Sequence, residues 1–159
     1  MRSLRDWIGV LERRGELVRI DAPVDPVLEI TEITDRVTKA GGPALLFTNV
    51  IGSSMPLLIN QFGSERRINM ALGTESLDAL GERIETLIDL QPPQGVLAKM
   101  KALGKLRELA SFSAKTVRDA PCQEIWLDEP DLDRLPILTC WPDDGGPFIT
   151  LPLVFSKDP

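Results

Sequence analysis

Apolar residues at the start of the chain recur at helical spacing. Leu4, Trp7, Ile8 and Leu11 share one face, with the capping box Ser3-Leu-Arg-Asp6 ahead of them and Gly15 behind. This predicts a first helix, followed by a short strand over 16–20. Asp25-Pro26 has the form of an N-cap followed by proline at the first helical position. Ile30, Ile33 and Val37 then make the buried stripe of a second helix, while Glu29, Glu32, Asp35 and Arg36 make its wet face. Gly41-Gly-Pro43 ends it. Two apolar strands are predicted over 44–48 and 56–61, joined by an Asn-Gly-Ser turn region. Ser64 is placed to cap a helix over 65–72 that Gly73 closes. Thr74 is placed to cap another, with Leu77, Leu80, Ile84, Leu87 and Ile88 on one face and Gln91-Pro-Pro as its breaker. A last helical stretch covers 96–112, broken near Gly104, with Leu97, Met100, Leu103 and Leu106 as its stripe.

From Ser113 the pattern changes. Helical periodicity stops, and prolines stand at 121, 130, 136, 142, 147, 152 and 159. Residues 122–127 read as a strand, 128–135 as an acidic turn region, and 148–155 as a closing apolar strand. The expected fold class is α+β: a small mixed helix/strand domain over 1–115, then the linker and first strands of a β-rich domain over 116–159. The closing strand has no predicted neighbour within these residues.

Composition narrows the chemistry. The net charge of −6 and pI near 4.7 argue against a nucleic-acid footprint. No apolar run reaches membrane-span length, and the N-terminus lacks an apolar secretion core, so a cytoplasmic protein is expected. The chain has no histidine and no tyrosine, which removes Ser-His-Asp, Cys-His and His-bearing metal sites. Cys122 and Cys140 are expected as reduced thiols, because two thiolates alone do not complete a zinc site.

Several stretches admit two readings. Gly41-Gly-Pro-Ala-Leu-Leu-Phe47 and Gly145-Gly-Pro-Phe-Ile-Thr-Leu151 each put a Gly-Gly-Pro turn before an apolar run. A phosphate loop is conceivable there, but neither has the required glycine spacing, and a plain turn is favoured. The acidic stretch 128–133 lacks the glycine and distal glutamate of a calcium loop, which favours a solvated turn. Glu29 and Glu32, one turn apart, either bracket a ligand or line a wet face. The basic residues Lys99, Lys101, Lys105 and Arg107 suit a membrane-surface helix or the solvated side of a packed one. Trp141, in Thr-Cys-Trp-Pro, either plugs a domain junction or stacks on a ligand. No complete catalytic constellation is present.

The segments "LRDWIGVLERRGELVRIDAPVDPVLEITEITDRV", "GGPALLFTN", "PLLINQFG", "RINMALG", "APCQ", "DLDRLPI" and "TCWPDDGGPFIT" together resemble the UbiD family of non-oxidative decarboxylases. The resemblance implies the N-terminal portion of a carboxy-lyase that reversibly decarboxylates an aromatic or α,β-unsaturated acid. The branch acting on 4-hydroxy-3-polyprenylbenzoate in ubiquinone biosynthesis looks similar. It implies prenylated FMN as the electron sink, with a divalent metal (manganese or magnesium) and potassium in the full-length enzyme, and a flavin prenyltransferase as cofactor supplier. It further implies a homo-oligomer, and peripheral membrane contact where the substrate is polyprenylated. The run from 148 resembles the first long strand of a flavin-binding split barrel. The resemblance places Thr150 near the flavin, with Ile149 and Leu151 beside it, while Pro152 departs from the family's usual glycine. It places no catalytic residue and no metal ligand in this chain, so these residues alone are expected to be inactive and to hold no cofactor. An alternative from another class is an assembly subunit whose exposed strand a partner chain completes.

Overall fold

A computed structural model describes residues 3–88, 103, 104, 106, 107, 109–114 and 116–150. The break at Gln91-Pro-Pro, the positions Leu97, Lys99, Met100, Lys101 and Lys105, and Leu151 with most of the expected closing strand lie outside them. The chain divides into two compact units. One takes residues to Leu72 and from Asp131 onward; the other is Gly73–Pro130.

In the first unit, α1 spans Leu4–Arg13. The Ser3 hydroxyl accepts from the Asp6 amide at 3.2 Å, as the capping pattern predicts. Gly15 follows at φ +69°, the left-handed conformation that ends helices. Trp7 and Leu11 are buried, whereas Leu4 points outward. Strand β1, Leu17–Ile20, pairs in parallel with β2, Ala44–Phe47, and β2 pairs antiparallel with β3, Leu57–Ile59, in the order β1-β2-β3.

All four residues of β2 are buried, because the central strand is covered on both faces. The two-residue period sorts them. Leu45 and Phe47 pack with Val24, Ile30 and Val50, and Ala44 packs with Trp7 and Leu11. Fully burying a side chain such as Phe47 stabilises by roughly 1.5–3 kcal/mol.

Helix α2 spans Glu29–Lys39, so it starts later than its proline predicts. Asp25 does form a turn: its carboxylate accepts from the Val27 amide at 2.8 Å, and Glu29 reaches back to the Asp25 amide at 2.7 Å. The main chain at 26–28 is instead drawn toward a distant segment. The Thr139 amide donates to the Pro26 carbonyl at 3.3 Å, and the Leu28 amide donates to the Thr139 carbonyl at 3.0 Å. Leu28 sits at φ 67°, ψ −38°, with the Glu29 amide donating to the Val27 carbonyl at 2.8 Å. That is a γ-turn of the strained, positive-φ kind. The expected stripe holds: Ile30 is buried, and Ile33 and Val37 pack on the same cluster. The wet face carries the ion pairs Arg36–Glu32 and Lys39–Asp35. Both bury little and are worth little.

Helix α3 spans Glu65–Leu72, matching its prediction, with the Ser64 hydroxyl accepting from the Arg67 amide at 3.3 Å. In the second unit α4 spans Leu77–Ile88. Its cap is Ser76, whose hydroxyl accepts from the Ala79 amide at 3.1 Å, and not Thr74, whose hydroxyl donates to the Ser76 carbonyl at 2.8 Å. The described positions between 103 and 111 are helical, Gly104 included. The strand predicted over 122–127 is absent. Pro121–Gln123 forms a 3-10 turn and the residues after it are irregular. A β-prone run becomes a strand only with a neighbour to pair with.

Candidate functional site

The segment 135–150 of the first unit brings the sequence-predicted positions to one surface. Its base is closed by the Phe148 amide, which donates to the Leu138 carbonyl at 3.1 Å, and it is tied to 26–28 through Thr139. Its tip is held by Asp144. One carboxylate oxygen accepts from the Cys140 amide at 3.0 Å and the Trp141 amide at 2.8 Å, while the Asp144 amide returns to the Trp141 carbonyl at 3.1 Å. Gly146, at φ 146°, makes the bend into Pro147. Asp144 escaped the sequence reading because a carboxylate three and four residues from its partners looks like any loop aspartate. The turn-forming composition of Trp-Pro-Asp-Asp-Gly-Gly was the available signal.

Ile149 and Thr150 line a cleft of about 350 Å³ whose other walls are β3, residues 135–138, Cys140 and Phe148. The walls are almost wholly apolar, with the Thr150 hydroxyl, the Cys140 thiol and main-chain groups as the polar elements. Such a lining suits one side of a flat, largely apolar group. It offers no cationic side chain for a phosphate. Among the described residues no group of three or more His, Cys, Asp or Glu is placed to hold a metal. The residues present therefore fit a wall of a flavin pocket and not its phosphate or metal end. Phe148, Ile149 and Thr150 are not in a strand.

The first Gly-Gly-Pro turn is not a phosphate cradle. The Gly41 amide donates to the Thr38 carbonyl at 3.0 Å and the Gly42 amide to the Val37 carbonyl at 2.8 Å. Both donors a phosphate would need are engaged in closing α2. Asn60, itself at φ 56°, locks the turn from the far side through its side-chain amide, which donates to the Pro43 carbonyl at 2.9 Å. Glu29 and Glu32 bracket nothing, since Glu29 holds Asp25 and Glu32 holds Arg36. Asp131 accepts from the Asp133 amide at 2.9 Å and begins the 3-10 turn Leu132–Arg134, in keeping with a solvated turn. Trp141 is not buried as a plug among the described residues; it is 62% exposed. It faces Leu28, Thr31, Glu32 and Asp35 across a groove of about 390 Å³.

One buried charged cluster was not foreseen. Arg67 is 1% exposed, and its guanidinium donates to Glu16 at 2.9 Å; the other Glu16 oxygen lies 3.1 Å from Arg66. The buried Nε and Nη2 of Arg67 have no hydrogen-bond partner among the described residues. Buried charge often marks function. Here the pair ties α3 to the start of β1, and Arg67 lines none of the clefts described above. Two adjacent arginines on an amphipathic helix gave no sign of which one turns inward.

Known proteins place this architecture. The model of the 3-octaprenyl-4-hydroxybenzoate carboxy-lyase N-terminal domain matches residues 8–86, and that of the same enzyme's Rift-related domain matches residues 115–159. An uncharacterised protein of Archaeoglobus fulgidus is 44% identical over 157 residues, covering 99% of this chain and 32% of its own length. An evolved dimeric form of the UbiD-class enzyme HmfF from Pelotomaculum thermopropionicum, solved with prFMN, superposes at a TM-score of 0.63. It is 26% identical over 92% of this chain and 30% of its own. The closed form of vanillic acid decarboxylase from Sedimentibacter hydroxybenzoicus superposes at 0.68 over 92% of this chain and 29% of its own; at 22% identity it speaks for the α+β fold alone. The chain belongs to the UbiD family, and it spans about a third of the length of these relatives.

Proposed function

We propose that this chain forms the N-terminal domain, up to residue 115, and the opening of the Rift-related domain, over 116–159, of a prenylated-FMN-dependent carboxy-lyase. Its substrate class is an aromatic or α,β-unsaturated acid, 4-hydroxy-3-polyprenylbenzoate being the candidate that the family description suggests. The observation that carries this reading is the in-order match of both UbiD models along one chain, at 8–86 and 115–159. The likeness to HmfF, solved with prFMN, supports the choice of cofactor.

The prenylated flavin supplies the electron sink for loss of carbon dioxide. This chain's part is positional. Thr150 and Ile149 would offer a hydroxyl and an apolar flank to a bound flavin, on a segment held by the Asp144 tip and the Leu138–Phe148 hydrogen bond. Leu151, which the family resemblance sets beside Thr150, lies outside the described residues. Metal, potassium and flavin phosphate are held by residues outside this chain, as is the acid that protonates the product carbon. The cofactor comes from a flavin prenyltransferase, the enzyme works in the cytoplasm as a homo-oligomer, and a polyprenyl substrate brings it to a membrane surface. Among the described residues no helix is long and apolar enough to cross a membrane.

The test is a chimera. This chain replaces the matching first third of the Archaeoglobus relative, co-expressed with a flavin prenyltransferase and assayed for carbon dioxide release from a panel of aromatic and unsaturated acids. The expected outcome is a protein that purifies with flavin absorbance and releases carbon dioxide, while the isolated 159 residues do neither. Thr150→Arg in the chimera is expected to lower flavin retention several-fold. A chimera folded by circular dichroism yet free of flavin, or turnover by the isolated chain, would overturn the reading.

A further inference from the structure

Three threonines of α2 stand where a hydroxyl can reach back one helical turn, and two of them do so. The Thr34 hydroxyl donates to the Ile30 carbonyl at 2.7 Å and the Thr38 hydroxyl to the Thr34 carbonyl at 2.8 Å, each four residues back. The third, Thr31, has a buried hydroxyl with no hydrogen-bond partner among the described residues. Its acceptor at the same offset is the Val27 carbonyl. The γ-turn at Leu28 turns that carbonyl to the Glu29 amide instead. A buried hydroxyl left unpaired destabilises the state that holds it.

The turn is unfavourable in a second way. Leu28 holds φ 67°, ψ −38°, a conformation rare for any residue but glycine. Around it the helix start is one residue too long: the Ile30 amide donates to the Asp25 carbonyl at 3.2 Å, five residues back where an α-helix uses four. What the turn gains is the bridge to Thr139, whose amide donates to the Pro26 carbonyl and whose carbonyl accepts from the Leu28 amide. The sequence holds a regular alternative, since Asp25 is a capping residue and Pro26 suits the first helical position. With 26–28 helical, the Pro26 carbonyl takes the Ile30 amide, the Val27 carbonyl takes the Thr31 hydroxyl, and Leu28 returns to negative φ. Two sets of hydrogen bonds compete for the same two carbonyls.

We propose that residues 26–28 and Thr139 form a two-state latch. Closed, the bridge holds Thr139 and leaves the Thr31 hydroxyl unpaired. Open, α2 extends back to Pro26 and Thr139 is released. Thr139 stands between Leu138, whose carbonyl accepts from the Phe148 amide at 3.1 Å, and Cys140; both wall the cleft that Ile149 and Thr150 line. Opening therefore loosens that wall. The latch does not rest on the carboxy-lyase reading, and it works whatever the cleft binds.

The test is amide hydrogen exchange of the whole 159-residue chain, followed residue by residue by NMR. The Thr139 amide is expected to exchange at least tenfold faster than those of β2, because local opening frees it while the sheet stays closed. Leu28→Gly removes the positive-φ penalty and weakens the extended helix. It is expected to slow the Thr139 amide about tenfold relative to β2, and the Phe148 amide with it. Thr31→Val removes the hydroxyl that only the open state pairs, and is expected to slow both amides several-fold. Thr34→Val, whose hydroxyl is bonded in either state, is expected to leave them unchanged. Thr139→Pro lacks the amide of the bridge and is expected to move the Cα shifts of Val27 and Leu28 to helical values while β2 stays protected. Thr139 exchange as slow as that of β2, equal effects of Thr31→Val and Thr34→Val, or a Phe148 amide indifferent to Leu28→Gly would overturn the latch. So would non-helical shifts at Val27 and Leu28 in a folded Thr139→Pro variant. If that variant does not fold, the exchange rates of the other three decide alone.

Discussion

Two short apolar runs in this chain have opposite fates. Ala44-Leu-Leu-Phe47 is buried at every position, paired with β1 on one side and β3 on the other, and covered on both faces. Ile125-Trp-Leu127 is equally apolar, yet it lies exposed with its main chain unpaired among the described residues. Hydrophobicity does not bury a segment; neighbours do, and among the described residues the second run has none that cover it. The comparison predicts a large asymmetry. Phe47→Ala should cost about 3–5 kcal/mol, since the side chain is 0% exposed and the strand around it is held on all sides. Trp126→Ala should stay within about 0.5 kcal/mol although it removes more atoms. Urea unfolding of both variants measures this, and similar losses would show that the 125–127 run is buried in solution.

The next effect concerns the charged tie within the same well-packed region. Glu16→Ala leaves the Arg67 guanidinium buried with Nε, Nη1 and Nη2 all unpaired among the described residues. Removing one partner of a buried pair typically costs about 3–5 kcal/mol, most of it the stranded charge. Glu16 retains some exposure, 14% of its side chain, so the lower end is expected. Adding Arg67→Met to Glu16→Ala should recover most of the loss, because the pair is then replaced by packing. A double variant no more stable than the single one would mean the guanidinium is hydrated in place.

Much of the fold was legible because its signals are local. The Ser3 cap, the Gly15 stop, the Ile30–Ile33–Val37 stripe and the whole of α3 follow from residues within a turn of one another. What failed involved distant partners. Asp25-Pro26 promised an immediate helix, but Thr139 captures the intervening main chain, and no local pattern records a contact from so far along the chain. The strand predicted at 122–127 failed for the same reason in reverse, a β-prone run with no pairing partner among the described residues. For the candidate site, family resemblance singled out Thr150 and Ile149, which line one cleft and whose part in flavin binding is the proposal above, whereas Asp144, which holds the loop beside them, had only its turn chemistry to announce it.

Gly63 tests how tightly the well-packed region is made. A Cβ there would come within 1.7 Å of the Asn60 Oδ1 and 3.2 Å of the Arg67 Nη2. Asn60 cannot swing away freely, because its amide holds the Pro43 carbonyl. Gly63→Ala is expected to cost about 1–3 kcal/mol, in the range for overpacking. In an Asn60→Ala background the added cost should shrink toward zero, since the obstructing oxygen is gone. Equal penalties in both backgrounds would locate the obstruction elsewhere.

The smallest effect lies on the wet face of α2. Hydrogen bonding to Asp35, then its charge, raises the Lys39 pKa above the usual 10.5, with Glu32 adding to the same direction. A raised folded-state pKa means the charged lysine is favoured by folding. Its contribution is therefore fully present below pH 10.5 and is lost as pH climbs through the folded value. The ammonium is fully exposed, so solvent and salt screen the interaction, and no change in unfolding midpoint is expected from Lys39→Met at neutral pH. The lysine side-chain NMR titration is the sensitive readout. It should be shifted upward at low salt, return toward 10.5 at molar salt, and lose the Asp35 share of the shift in Asp35→Asn. An unshifted titration at low salt would mean that the 2.6 Å contact is not held in solution.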